Sequence, residues 1–311
     1  MQTIVYKSTG SWYTVKDERG AFWNARMKGV FKLDDITSTN PIAVGDVVDV
    51  EVENQGEGTA IITNIHDRRN YINRQSPRTK HQHHIVAANV DQSLLLATLK
   101  EPRTSQGFID RFLVACEMYH VPALIVFNKF DLYREKEKEQ FGAFKEMYGQ
   151  IGYPVIGMSV KEKKGIEEVH QLLRNKLTLI SGHSGVGKSS FINVLIPGVN
   201  IRTKDISGWS GKGQHTTTFA EMYDLPADDA GKIIDTPGMR EFGLVDVERS
   251  ELSGYFPEMR AVLNDCQFNN CLHINEPGCA VKEAVANGAI DEERYISYYN
   301  ILESLPEHHW E

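Results

Sequence analysis

An α/β domain set between a small all-β barrel and a mainly helical, cysteine-bearing tail is the fold this sequence predicts. Three observations carry that expectation. Residues 1 to about 66 hold short runs rich in β-branched and aromatic residues, punctuated by Gly10, Gly20, Gly45 and Gly58. From residue 92, continuous apolar runs alternate with helix-like stretches, the mark of a parallel sheet buried on both faces. Near the C-terminus three cysteines crowd around one histidine, a pattern that points to metal rather than disulfides. At 311 residues, with a net charge of −8, the chain is long enough for two or three domains, each with a real core. Its first residues show no basic segment leading into an apolar one, and no apolar run approaches membrane-spanning length, so a cytoplasmic protein with no membrane partner is expected.

The barrel is expected over residues 1–68, with strands at Ser11–Val15, Ala21–Arg26, Val47–Val52 and Thr59–Ile65. In the third run Val48, Val50 and Val52 alternate with Asp49 and Glu51, the half-buried pattern of antiparallel sheet. An oligonucleotide-binding (OB-type) barrel fits these short strands, and Trp12, Tyr13, Phe22 and Trp23 serve either as its core or as platforms for bases. Residues 69–91 read as a basic polar connector. From 68 to 90 the chain carries Arg68, Arg69, Arg74, Arg78 and Lys80 and no acid, a local footprint for phosphate within an acidic average. His81, His83 and His84 are expected to be solvated.

The α/β domain is expected over residues 92–245. Its organising element is Gly182-His183-Ser184-Gly185-Val186-Gly187-Lys188-Ser189, placed after the apolar run Leu177–Ile180 and before the helix-like Ser190–Leu195. This is a phosphate-binding loop in strand–loop–helix context. Its glycines let backbone N–H groups converge on phosphate, Lys188 is expected to reach the β and γ phosphates, and Ser189 to hold Mg2+. Asn128-Lys129-Phe130-Asp131 follows the apolar run Ala123–Phe127, at the strand end where an open α/β sheet meets its ligand. A carboxylate at Asp131 can accept from both N1–H and the exocyclic amine of guanine, which adenine cannot offer, while the Lys129 stem covers the base. Ser159-Val160-Lys161, after Pro154–Met158, has the position of the loop that closes over guanine. Downstream, Gln214-His215-Thr216-Thr217-Thr218 forms a first switch, with Thr217 the expected second Mg2+ ligand. Asp235-Thr236-Pro237-Gly238 supplies an acid that holds Mg2+ through water and a glycine N–H that senses the γ-phosphate. The nucleotide is therefore GTP or GDP, bound by these segments together with Ser190.

In an ordinary small GTPase the phosphate loop comes first and the guanine-reading segments last. Here Asn128–Asp131 and Ser159 precede it, so the domain reads as a circularly permuted P-loop GTPase whose ends run directly into the flanking domains. Hydrolysis could then move residues 246–311 against the GTPase body. Met239 stands where many GTPases place a glutamine to orient water, so slow intrinsic hydrolysis is expected, with His215 the nearest candidate for a catalytic role. In the C-terminal domain, expected over 246–311, Cys266, Cys271, His273 and Cys279 supply three thiolates and an imidazole for one tetrahedral, structural Zn2+. Helical segments through Asp291–Glu303 complete the tail.

With these motifs in this order, the chain resembles the ribosome small subunit-dependent GTPase A family (RsgA/YjeQ) over nearly its whole length. The resemblance implies a cytoplasmic GTPase that binds the maturing small ribosomal subunit through its rRNA and is stimulated by it; a monomer is expected. It also implies a late assembly checkpoint that helps release a small-subunit maturation factor. The family carries a hydrophobic residue where Met239 stands. The competing readings are a permuted GTPase of the large subunit, a metabolic phosphotransferase or ATPase, and a zinc-dependent RNA-binding module with a vestigial pocket; Asp131, Lys188 and Ser189 weigh against the last two.

Overall fold

The computed structural model describes residues 1–27, 41–75, 83–199, 201, 219–226, 229–236, 244 and 247–306. The N-terminal strands are β1 (Gln2–Ser8), β2 (Tyr13–Asp17), β3 (Phe22–Met27), β4 (Val47–Asn54) and β5 (Thr59–Ile65). β1 pairs with both β2 and β4, and β3 runs parallel to β5, so the order 1-2-3-5-4-1 closes a five-stranded barrel. Val5, Tyr13, Val15, Ala25, Val48, Val50, Ala60 and Ile62 fill its centre. Two details differ from the alternation in the sequence. Val48 and Val50 are buried in the barrel, but Val52 is 46% exposed, in the last regular pair of the ladder with β5 before its register shifts toward the hairpin end. Tyr13 is core, whereas Trp12 and Phe22 are 48% and 54% exposed. Trp23 is part-buried and donates through Nε1 to Asp17 at 3.0 Å.

The basic connector is not featureless. β6 (Tyr71–Gln75) and β7 (His83–Ala88) pair antiparallel, and Ile72 and Ala87 turn inward to join a core with Tyr6, Val44 and Val90. Nor is Arg68 a free phosphate contact: its guanidinium holds the fully buried Asp46 through Nε at 2.7 Å and Nη2 at 2.6 Å and donates to the Pro41 carbonyl. Arg78, Lys80 and His81 lie outside the described residues, as do the side chains of Arg74, His83 and His84.

The α/β domain contains β8 (Gln92–Ala97), α1 (Gln106–Met118), β9 (Ala123–Phe127), α2 (Glu135–Gln150), β10 (Val155–Gly157), α3 (Ile166–Leu173), β11 (Leu177–Ser181), α4 (Lys188–Leu195), β12 (Glu221–Asp224) and β13 (Lys232–Asp235). Its sheet order is β10-β9-β8-β11-β13-β12, parallel except for β12. One face packs on α1 and α2 through Leu95, Ile125, Phe112 and Phe144; the other packs on α3 and α4 through Leu94, Val126, Val169 and Phe191. Strands buried on both faces explain why their sequences are continuously apolar. β12 also pairs with β1, and Tyr6 Oη donates to Asp224 at 2.7 Å while Lys7 meets Glu221 at 3.1 Å and Lys16 meets Asp224 at 2.5 Å. The barrel is thereby stitched to the strand between the two switch segments.

Beyond the sheet, Leu252 and Phe256 ahead of α5 (Pro257–Arg260), Val281 of α6 (Ala280–Ala286) and Tyr298 and Ile301 of α7 (Glu292–Ser304) pack with Val114 of α1. Within this contact Arg294 is fully buried. It bonds Asp110 of α1 at 2.7 Å and Glu258 of α5 at 2.7 Å, and lies over the Phe256 ring. Burial works against its charge, but the Asp110 and Glu258 carboxylates outweigh burial and keep it protonated.

Candidate nucleotide site and metal centre

The phosphate loop starts where β11 ends and finishes at the first turn of α4, so its backbone is clamped at both ends by core elements. Gly182 and Gly187 have φ of +147° and +102°, and a Cβ there would sit 2.3 Å from the Leu96 carbonyl oxygen and 2.4 Å from the Asn128 amide. Glycine is required by both conformation and space. Val186 is buried beneath the loop while Ser184 and Gly185 face outward. Lys188 Nζ donates across the loop to the Gly182 and His183 carbonyls at 2.7 and 3.2 Å. Burial lowers its pKa, and nearby Asp235 opposes that shift.

Asn128 joins the phosphate and base sides of the site. Its Nδ2 donates to the Val186 carbonyl at 2.8 Å, and its Oδ1 accepts from the Val160 N–H at 3.1 Å. Lys129, at φ +62°, extends Nζ to the Glu101 carbonyl; burial lowers its pKa while Glu101 and Asp131 pull it up. Ser159 Oγ donates to Asp131 Oδ1 at 2.6 Å and accepts from Glu162 N–H at 3.1 Å, which orients the carboxylate. Asp235 is buried at the end of β13, and Thr236 Oγ1 donates to the Ile180 carbonyl at 3.1 Å, tying that end to β11. Thus Asn128, Lys129, Asp131, Ser159, Val160, Gly182 to Ser190 and Asp235 gather at the carboxyl ends of the parallel strands. His215, Thr217, Gly238 and Met239 lie outside the described residues.

Two supports of the site are not apparent from the sequence. The turn after β8 lays Pro102 beside Gly185 and offers the Glu101 carbonyl to Lys129. His183 stacks on Phe108 of α1 with ring centroids 3.7 Å apart, and burial, then Lys188, lower its pKa so that the imidazole is neutral near pH 7. Pro102, five residues beyond the end of β8, is the available signal; the His183–Phe108 pair is long-range and has none.

At the metal centre the donor atoms of Cys266, Cys271, His273 and Cys279 all lie within 4.8 Å of one another. His273 Nδ1 is 3.3 Å from Cys279 Sγ and 3.7 Å from Cys266 Sγ. A tetrahedral zinc with ligands at about 2.0–2.3 Å separates its donors by about 3.5–3.8 Å, so the set fits such an ion. Glu276 accepts from the Leu272 and Ile274 N–H groups, both at 2.8 Å, and Tyr295 and Tyr298 donate to the His273 and Leu272 carbonyls at 2.6 and 2.8 Å. These bonds hold the His273 turn, itself at φ +60°. Burial pushes the Cys271 thiol up to about 12 and lowers the His273 pKa. Thiolate in such a place calls for a cation.

Family models agree with this architecture. The RsgA GTPase model matches residues 65–245, and the RsgA N-terminal domain model matches residues 2–60. The chain is 52% identical to small ribosomal subunit biogenesis GTPase RsgA of Flavobacterium psychrophilum, covering 97% of this chain and 93% of that one. It is 50% identical to small ribosomal subunit biogenesis GTPase RsgA 2 of Bacteroides thetaiotaomicron, covering 99% and 98%. Among solved structures it resembles YjeQ from Thermotoga maritima (34% identity, TM-score 0.79, 99% of each chain) and YloQ, a circularly permuted GTPase (27% identity, TM-score 0.74, 99% and 96%). Sequence, strand order and the permuted nucleotide site agree, and the chain belongs to the RsgA family of circularly permuted GTPases.

Proposed function

We propose that this chain hydrolyses GTP as a late checkpoint in maturation of the small ribosomal subunit. GTP hydrolysis and a place in small-subunit biogenesis go with the family and with relatives that match over nearly their full length. The observation that carries guanine choice is the Ser159–Asp131 hydrogen bond next to Asn128, whose amide spans the phosphate loop and the Val160 loop. A fixed carboxylate there takes two donors of guanine. Lys188 and the loop N–H groups take the β and γ phosphates, and the Mg2+ that accompanies GTP supplies charge neutralisation between them. Ser189, Thr217 and, through water, Asp235 would hold that ion. With Met239 in the water-positioning place, turnover is slow until the subunit is bound, and His215 orients the attack.

The three thiols and His273 would hold one structural Zn2+, with no open position for catalysis. The barrel (1–68), connector (69–91), GTPase (92–245) and C-terminal domain (246–311) form a cytoplasmic monomer that contacts rRNA and couples hydrolysis to release of a maturation factor. Among the described residues no helix is long and apolar enough to cross a membrane. Turnover measured alone, with small subunits and with large subunits tests the reading. Selective small-subunit stimulation is expected; intact GTP binding with no stimulation overturns it.

A further inference from the structure

Away from the nucleotide site, a cleft of about 500 Å³ opens between the start of β6, the β7–β8 junction and the C-terminal end of α1. That volume lies within the range of about 300–1,000 Å³ typical of small-molecule sites. Two tyrosines line it: Tyr71, 39% exposed, and Tyr119, with ring centroids 5.5 Å apart and planes at 45°. His120 and Arg69 complete the aromatic and cationic lining. Arg69 is 61% exposed along its side chain, and its Nη2 bonds Asp91 at 2.7 Å and the Asn89 carbonyl at 2.9 Å. A guanidinium has five N–H donors, so these contacts aim the group and leave others for an anion.

The wall is rigid. Arg69 N–H donates to Asn89 Oδ1 at 2.8 Å, Asn89 N–H to the Asn70 carbonyl at 2.9 Å, and Asn70 Nδ2 to the Val90 carbonyl at 2.8 Å. Tyr71 is paired with Ala88 at the base of the hairpin, and Tyr119 rests on the core that includes Val90 and Val121. An exposed ring on so fixed a frame loses little entropy when a flat ligand stacks on it. Arg68 of the same stretch is committed to Asp46, so the cation that lines the cleft is Arg69, beside its partner carboxylate Asp91.

From this juxtaposition we propose that the Tyr71–Tyr119 cleft receives one unstacked base of single-stranded RNA, with Arg69 on an adjoining phosphate. The proposal rests on the ribosomal reading above. Stacking favours RNA over a peptide, because every base presents a flat face and the cation beside the rings suits its phosphate.

The test uses the full chain and a fluorescently labelled, 5′-phosphorylated hexauridylate, with a 4-thiouridine version for cross-linking. Tyr71→Ala should weaken binding by about 5- to 100-fold, Tyr71→Phe should bind within about 2-fold of the parent, and basal GTP turnover should be unchanged in both. The cross-linked peptide should contain Tyr71 or Tyr119. Equal binding by the Tyr71→Ala and parent chains, or cross-links confined to other surfaces, overturns the proposal. So does an unlabelled ribosomal protein fraction, rather than RNA, competing for the cleft. Parent turnover with small subunits is measured in parallel. If the subunit stimulates and Tyr71→Ala leaves RNA binding unchanged, this inference alone fails; if the subunit does not stimulate, the ribosomal reading fails.

Discussion

The nucleotide site and the metal centre are built in opposite ways. Asn128, Ser159, Lys188 and Asp235 come from distant parts of the chain and meet because four parallel strands end at one edge of a sheet buried on both faces. The sheet would stand without any of them. Cys266 to Cys279 span one short segment of turns and bends that contains neither strand nor helix, held by Glu276, Tyr295 and Tyr298. In the first region the scaffold makes the site; in the second the ligands, with their ion, make the scaffold.

The sharpest way to break that comparison is to take the metal away. Chelation, or Cys279→Ser, should forfeit stabilisation on the order of 10 kcal/mol in this segment and release bound metal, while GTP affinity of the free chain changes less than about 2-fold. Amide exchange over residues 263–290 reads the result, and unchanged protection after metal loss would sink the contrast. Next in size is Arg294→Ala, which leaves the Asp110 and Glu258 carboxylates buried without their cation and should cost about 3–5 kcal/mol of stability. Chemical denaturation measures it. A loss below 1 kcal/mol would mean that the C-terminal helices do not depend on their tie to α1.

At the nucleotide site, Lys188→Ala should lower GTP turnover at least about 100-fold, some 3 kcal/mol, with the unfolding midpoint in denaturant nearly unmoved. A large stability loss would make the loop part of the scaffold after all. Asn128→Ala removes the bridge between Val186 and Val160 and should weaken GDP binding by about 1–3 kcal/mol, read by calorimetry. The smallest effect belongs to the seam between barrel and sheet. Lys16→Met breaks a partly exposed pair with Asp224 and should cost about 1 kcal/mol or less, visible as a small shift in thermal midpoint.

Much of this was legible in the sequence because it is local. A strand, a glycine-rich turn and a helix start announce Gly182–Ser189, continuous apolar runs announce β8, β9 and β11, and donor chemistry announces the metal ligands. β1 is not legible although Thr3, Val5 and Tyr6 are buried, because a strand shared by a barrel and a neighbouring sheet has no simple alternation. Arg68 counts along the chain as a cation for phosphate but is committed to Asp46, a pairing across 22 residues that charge counting cannot show.

The sequence alone determined the order of the guanine, phosphate and switch motifs, and hence the permutation, since each motif is a short segment whose chemistry needs particular residues at fixed spacing. It determined the donor set at the metal centre for the same reason. Only the tertiary structure decided that Asn128 spans base and phosphate loops, that Arg294 joins the C-terminal helices to α1, and that β1 links the barrel to β12. Those contacts join residues far apart in the chain, and their partners are chosen by how packed elements meet, which no local pattern encodes.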